Sequence, residues 1–400
     1  MAQKQLCDMI REVGLKRLKS FDDSDSMKLA KVNLLTGKNG RGKSTVLQSL
    51  LLLSQSFDSE KGIDHLNLNG RLVNLGTFDD VLRRDSSGTF EINLKTDDEL
   101  DCDIHCEFER NEHDSRTASL RELEVDGNSK METVTSSELL MTEDGGMVLA
   151  EDGAPLLLEQ YDKTVGTTSD VMGLRQLLDV VFISADREGG VNSVRSSGWQ
   201  RQMGVGIHGE YVMNMLESAS QEQKDEVNMW LRKVLEGGSV RTETNPANDE
   251  ILMYIDPAGT ENGFKPSNVG FGYSYILSIL VAMVMAKNGT KVMVENPEAH
   301  LHPSAQAKLV RTIVQIAKAK NMQVFIESHS DHVLHGLQLA VMNKTMEAND
   351  LSVLFFDFEE NTPNKTDICQ LTIKPNGHIV CPPGGFFDQA EQDLSSLIGL

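Results

Sequence analysis

Between Gly37 and Ser44 the chain reads Gly-Lys-Asn-Gly-Arg-Gly-Lys-Ser, the G-x-x-x-x-G-K-S spacing of a loop that cradles phosphate. Gly37, Gly40 and Gly42 free the backbone to turn N–H groups, from Asn39 through Thr45, round an anion. Lys43 is long enough to reach the β- and γ-phosphates. Ser44 offers a hydroxyl to Mg²⁺ at a helix N-terminus whose dipole favours anions. The flanks fit, since Val32, Leu34 and Leu35 close an apolar strand and Val46, Leu47 and Leu50 to Leu52 open an amphipathic helix. A motif in that setting predicts nucleotide binding.

Three further groups are placed, by type and order, for chemistry on that nucleotide. Lys291-Val-Met-Val-Glu295 is an apolar strand ending in an acid, the position from which a carboxylate holds Mg²⁺ through water opposite a phosphate loop. Upstream, Gly270-Phe-Gly-Tyr-Ser274 leads a helix, so Gly272 and Ser274 offer backbone N–H groups and a hydroxyl suited to a second triphosphate. Downstream, Val324-Phe-Ile-Glu327 runs into Ser328-His329-Ser330 and sets an imidazole near the same sheet edge, where α/β sheets bind ligands. Taken singly, a Gly-x-Gly before a helix is usually a tight turn, and a histidine after a strand is usually structural. Their order and spacing carry the weight.

The elements that must position these groups follow from hydrophobic period. Leu15 to Phe21 and Met27 to Leu35 read as strands, the second feeding the phosphate loop, with Asp-Asp-Ser-Asp-Ser as the turn between them. Short strands are expected from Leu66 and from Leu72. From Gly88 to about Glu159 alternating apolar residues (Phe90, Ile92, Leu94; Leu100 to Phe108; Leu120, Leu123, Val125) predict an acidic antiparallel β insertion, with a hairpin near Gly145 to Gly153. Cys102 and Cys106 fall on the buried face of one such strand and need not be a metal pair. Leu177 to Ala185 reads as a buried strand, Glu210 to Glu236 as helix and Ile251 to Ile255 as a strand. Ile276 to Ala286 reads as an apolar helix whose methionines fill gaps. Strands at Val292 to Glu295 and Val324 to Glu327 alternate with helices, as in a parallel sheet. The expected organisation is residues 1–86 as the N-terminal part of a nucleotide-binding domain, 87–175 as a β-rich insertion, and 176–400 as a helical lobe with the rest of that domain.

A chain of 400 residues, 39% hydrophobic and 5% aromatic, can bury one large core or two moderate ones. No stretch approaches the roughly 20 apolar residues of a membrane span, and Met-Ala-Gln-Lys-Gln-Leu-Cys-Asp holds no apolar signal core, so a cytoplasmic protein is expected. Five irregularly spaced cysteines argue against a disulfide framework. The net charge of −22 opposes a surface that tracks a nucleic-acid backbone, while leaving a local DNA contact open. The clusters Lys16, Arg17 and Lys19, Arg83 with Arg84, and Arg187 with Arg195 and Arg201 read as solvated faces or nucleotide contacts.

In this order the motifs resemble the cassette-type (ABC-type) AAA-family ATPases of the RecF, SMC and OLD-like group, whose heads combine a mixed, largely parallel α/β sheet core with an antiparallel β insertion and a helical lobe. The resemblance is closest to short bacterial ATPases carrying Glu-Asn-Pro-Glu-Ala-His-Leu-His-Pro (Glu295 to Pro303), Gly-Phe-Gly-x-Ser (Gly270 to Ser274), Glu-Ser-His-Ser-Asp-His (Glu327 to His332) and Gly-Phe-Phe-Asp (Gly385 to Asp388). These include Septu-type antiphage ATPase subunits, which partner a separate HNH nuclease. The resemblance implies ATP and Mg²⁺ as ligands, with Lys43 and Ser44 on phosphate and metal and Glu295 as the Mg²⁺-holding acid. It makes Gly272 and Ser274 a signature box reaching across a homodimer, His329 the switch histidine on the γ-phosphate, and His300 and His302 part of the dimer-lining loop. The implied function is an ATP-bridged dimer that controls a partner effector, a nuclease of antiphage defence. A RecF-like DNA-repair ATPase and a scaffold keeping ATP as a structural ligand stand as alternatives.

Two departures from the family pattern bear on the chemistry. Asn296 stands where the family carries the glutamate that polarises water, and an amide cannot accept that proton, so hydrolysis is expected to be slow unless Glu298 or another carboxylate substitutes. Tyr275 stands where relatives often carry glutamine. The tail after His329 is too short for the TOPRIM nuclease domain of OLD proteins, Asp357-Phe-Glu359 reads as a strand cap and turn, and no HNH-like histidine cluster or long heptad arm appears. Nuclease activity is therefore expected in a partner.

Overall fold

A computed structural model describes residues 9–23, 26–57, 65–86, 88–96, 102–127, 134–135, 139–141, 147–151, 154–155, 177–196, 204–257, 263–359 and 362–398. They fall into two compact units. The first comprises Met1–Lys31, Lys38–Val180 and Phe356–Gln370; the second comprises Val32–Gly37, Val181–Phe355 and Leu371–Leu400.

The strands begin with β1 (Ile10–Lys16), β2 (Met27–Lys28) and β3 (Val32–Gly37), after which helix α1 spans Lys43–Phe57. Then come β4 (His65–Asn67), the short helix α2 (Phe78–Val81), β5 (Thr89–Thr96), β6 (Cys102–Arg110) and β7 (Thr117–Gly127). In the first unit these strands form an antiparallel sheet in the order β2-β1-β5-β6-β7-β4. Its alternation is that read from sequence. Phe90, Ile92, Ile104, Phe108 and Leu120 are buried, and the rings of Phe78, Phe90 and Phe108 stack in series at 5.6 and 5.5 Å. Cys106 lies in this core and desolvation pushes its thiol up to about 12.

Two boundaries differ from the sequence expectation. The first strand ends at Lys16 instead of continuing from Leu15 to Phe21, because Arg17 and Lys19 adopt left-handed backbone (φ 54° and 51°), which no strand can carry. The segment Met27 to Leu35 is not one strand: Met27 and Lys28 pair with β1, whereas Val32 onward enters the second unit's sheet. At Leu72 there is no strand, only an isolated bridge between Asn69 and Asn74. Beyond β7 the short strands β8 (Val134–Thr135), β9 (Leu139–Met141), β10 (Met147–Glu151) and β11 (Ala154–Pro155) continue the antiparallel pairing. Leu100, the turn residues Gly145, Gly146 and Gly153, and Arg201 lie outside the described residues.

The later elements are β12 (Val180–Ile183), β13 (Ser193–Arg195), α3 (Val212–Ser218), α4 (Gln221–Leu235), β14 (Ser239–Asn245) and β15 (Glu250–Asp256). They continue as α5 (Gly272–Met285), β16 (Lys291–Glu295), α6 (Pro303–Ala319), β17 (Gln323–Glu327) and α7 (Asp331–Met342). The chain ends in β18 (Leu351–Glu359), β19 (Thr362–Leu371) and α8 (Gln389–Ile398). The helical stretch expected from Glu210 to Glu236 is interrupted at Ser220. That hydroxyl accepts from Gln223 N–H and Gln223 reaches back, a capping box that starts a new helix.

In the second unit β12, β16, β17, β3 and β18 lie side by side, with β16, β17 and β3 parallel. β18 runs out of that unit after Phe355, and β19 pairs with it. The central strands are buried up to the half-buried Gly37 and Glu295 at their carboxyl ends, and α5, α6 and α7 bring Ile276, Leu280, Leu309, Ile313 and Leu337 to the core. A fully buried parallel sheet requires apolar runs without alternation, as Val292–Val294 and Val324–Ile326 supply. The chain is an α/β protein with parallel and antiparallel sheets and a set of helices.

Candidate phosphate loop and acid-bearing strand edge

The phosphate loop leaves the carboxyl end of β3 and ends where α1 begins. Gly37, Gly40 and Gly42 take φ of 131°, 71° and 98°. A Cβ on Gly42 would lie 2.9 Å from the Phe21 ring, so this turn admits only glycine. Lys43 opens α1 with Ser44 behind it; the lysine is 3% exposed and its ammonium donates to Lys38 O at 2.8 Å. The loop is braced from β18. Lys38 N–H donates to Phe356 O at 3.2 Å, Lys38 Nζ pairs with Asp357 Oδ2 at 2.7 Å, and the Arg41 guanidinium lies 3.2 Å from the centre of the Phe358 ring. Burial would raise the Asp357 carboxyl, but the Lys38 ammonium and the Phe358 N–H outweigh it and hold the carboxyl below its ordinary range. Asp357 is thus a strand residue paired to the loop, not the turn read from sequence.

In the second unit the parallel register places Glu295 opposite Glu327, and Glu327 opposite Leu35 of β3. Adjacent strands are about 4.8 Å apart, so the acid lies about 10 Å across the sheet from a residue two places before Gly37. Glu295 Oε2 accepts the Ala185 N–H at 3.1 Å. Burial raises its pKa, with that N–H and the Arg187 charge pulling against the rise.

Arg187 is 4% exposed and clamps the turn after the acid, donating to Glu295 O at 3.2 Å and to Asn296 O. Desolvation lowers its pKa to about 10. Asn296 adds one rung to the ladder through its N–H to Glu327 O at 2.8 Å, then turns with φ 42°. Glu298 follows on that turn. Its Oε1 accepts the His329 N–H at 3.1 Å, while its Oε2 is buried with no hydrogen-bond partner among the described residues. His329 itself is exposed, and Ser328 N–H donates to Leu35 O at 3.1 Å, tying this turn to β3.

The Gly-Phe-Gly-Tyr-Ser box forms the first turn of α5. A Cβ on Gly272 would stand 3.0 Å from His300 O, so glycine lets the helix start approach the acid turn. Ser274 Oγ accepts the Gly190 N–H at 3.3 Å. Tyr275 lies edge-on to the His300 ring at 4.6 Å and under the Arg187 guanidinium at 4.9 Å. His302 is the N-cap of α6, its Nδ1 accepting from Ser304 N–H at 3.3 Å. Box, acid, Asn296, Glu298 and His329 therefore meet in one cluster of the second unit. Arg187, read from sequence as part of a solvated face or a nucleotide contact, is instead the buried centre of that cluster, and the brace at Asp357 and Phe358 was missed. The strand ending Phe182-Ile-Ser-Ala-Asp-Arg was the available signal for the first; none existed for the second.

Residues 207–334, which hold the box, the acid and His329, match the family model described as AAA ATPase domain. Residues 346–397 match a second, described as Protein of unknown function (DUF3696). No curated protein gives a match. Among solved structures, the SMC head domain from Thermotoga maritima is similar at 14% identity and TM-score 0.44, over 90% of this chain and 98% of that one. An SmcHead bound to the C-winged helix domain of ScpA is similar at 14% identity and TM-score 0.44, over 92% and 98%. An Smc head domain bound to the C-terminal domain of ScpA, derived from Pyrococcus furiosus, is similar at 10% identity and TM-score 0.48, over 98% and 100%.

Proposed function

We propose that the chain is an ATP-binding, ATP-hydrolysing cassette-type ATPase whose nucleotide-dependent dimer regulates a partner effector, a nuclease of bacterial antiphage defence. The observation that carries this is the parallel register: the strand from which the phosphate loop departs shares its carboxyl edge with the acid of β16 and the histidine turn of β17. The chain's residues fit ATP with Mg²⁺. The glycines already hold the left-handed loop, and Lys43 rests on a carbonyl of its own loop, a contact a phosphate oxygen would replace with a charge-assisted one. The desolvated Glu295 carboxylate gains from a nearby cation. In this reading Lys43 and Ser44 would hold phosphate and metal, Glu295 would be the acid that holds the metal, and His329 would contact the γ-phosphate. Mg²⁺ supplies charge neutralisation of the phosphates.

The proton of the attacking water goes to Glu298, in place of the amide at Asn296. Glu298 is the carboxylate already bonded to the His329 backbone, with a buried oxygen left over. Lys43→Ala should abolish ATP affinity while leaving the circular dichroism spectrum intact; unchanged affinity in the folded variant sinks the assignment. Glu298→Gln should lower kcat by about 10²- to 10⁴-fold with KM little changed. Should wild-type turnover be slow and indifferent to Glu298→Gln, no carboxylate substitutes, and the scaffold reading, with ATP as a structural ligand, takes its place.

A further inference from the structure

Among the described residues, one group of metal-ligating side chains stands outside the proposed nucleotide chemistry. Asp331, His332 and His335 on α7 each offer a ligand atom, and the three atoms lie within 4.8 Å of one another. His332 Nε2 stands 3.7 Å from Asp331 Oδ1, and the two imidazole rings are 6.5 Å apart, edge to face. We propose that Asp331, His332 and His335 form a binding site for a borderline divalent transition metal, of the Zn²⁺ and Co²⁺ class, on the solvent face of α7.

Helical geometry explains why these residues can converge. At about 100° per residue, Asp331, His335 and His332 share an arc of roughly 100°, and His335 is one turn on from both others. The helix buries Val333, Leu334, Gly336, Leu337, Ala340 and Val341 on the other side, so packing fixes the backbone and leaves the ligands facing water. Two imidazoles and one carboxylate match the preference of Zn²⁺, Co²⁺, Ni²⁺ and Cu²⁺, whereas Mg²⁺ and Ca²⁺ take all-oxygen sets. Bonds of about 2.0–2.2 Å to one ion need the ligand atoms about 3.3 Å apart. Rotation of the half-buried Asp331 and His332 and the exposed His335 side chains closes that difference, and the remaining position is open to water. The N-terminal dipole opposes a cation here. Asp331 offsets it within the first turn, and Ser330 Oγ accepts the N–H groups of His332 and Val333 at 3.1 and 3.4 Å, covering part of the positive end.

His300 and His302, which the resemblance places in a dimer-lining loop, are engaged elsewhere, against Tyr275 and as the α6 cap. The proposal stands independently of the nucleotide reading. The full chain, stripped with chelator and exchanged into buffer with excess Mg²⁺, is titrated with CoCl₂ by visible absorption and with ZnCl₂ by calorimetry. One equivalent of Co²⁺ should give an intense ligand-field band that Zn²⁺ abolishes by displacement. His332→Ala and His335→Ala should each weaken binding by about tenfold or more, and Cys381→Ser, at an exposed thiol, should leave it unchanged. His335→Gln repeats the test should the alanine variant fail to fold. Absence of saturable Co²⁺ binding, binding that survives the two histidine substitutions together, or binding lost in Cys381→Ser overturns the proposal.

Discussion

Asn296 shows how a single backbone angle constrains chemistry. Its φ of 42° lies where asparagine is among the few side chains tolerated, so the residue that ends β16 answers to the turn first. Restoring a glutamate there sets a base against strain of about 1–2 kcal/mol. Asn296→Glu should therefore lower the denaturation midpoint even if turnover rises; a variant both faster and as stable would show the turn to be permissive. Arg187 is the complementary case, a buried cation whose two donors hold the Glu295 and Asn296 carbonyls. Arg187→Met leaves those carbonyls unpaired, at about 1–3 kcal/mol, and should reduce kcat more than ATP affinity. Equal stability in urea would exclude the clamp. Cys106, with its thiol pushed up to about 12 from 9.0, supplies a pH argument. A folded pKa above the unfolded one gives stability that is complete below about 9 and is lost as pH rises toward about 12. In native protein at mildly alkaline pH, iodoacetamide should label the exposed Cys381 and spare Cys106, as read by peptide mass spectrometry.

At the scale of elements, α5 carries the prediction about assembly. Its first turn is pinned to the acid turn by Gly272 and Tyr275, yet Phe271, its N-cap, is 52% exposed. An exposed aromatic beside a phosphate-capable helix start is where a second copy would meet ATP. A non-hydrolysable ATP analogue should raise the mass or compact the particle in light scattering, and Ser274→Ala should weaken that response. No change in either property counts against the dimer. The elements themselves differ in how legible they were. Val292–Val294 and Val324–Ile326 declare buried parallel strands by apolar runs, and the antiparallel sheet of the first unit declares itself by alternation at Phe90, Ile92 and Leu94. The end of β1 was hidden because nothing in Arg17 or Lys19 announces left-handed backbone. The brace of Lys38 by Asp357 was hidden because it joins residues 319 positions apart, a pairing no local pattern encodes. The glycine turn from Gly37 into α1 was readable because the pattern fixes its residue types and spacing. The Arg187 clamp was not, because it binds carbonyls, which every residue owns.

For the whole molecule, charge and inventory decide what the chain can do to nucleic acid. A net charge of −22 repels a phosphate backbone at long range and favours a basic protein partner. Cleaving a phosphodiester by two metals needs several carboxylates around ions about 4 Å apart. Among the described residues the only group of three or more potential ligands is Asp331, His332 and His335, with one carboxylate, which suits a single ion. Glu295 is held by Ala185 and Arg187 at the strand edge proposed for ATP. The purified chain should therefore cut neither duplex nor single-stranded DNA with Mg²⁺ or Mn²⁺, with or without ATP. Adding the proposed nuclease partner should bring cleavage that depends on Lys43. Cleavage by the chain alone that persists through purification and disappears on substituting Asp331 or His335 would instead make the α7 cluster a hydrolytic centre.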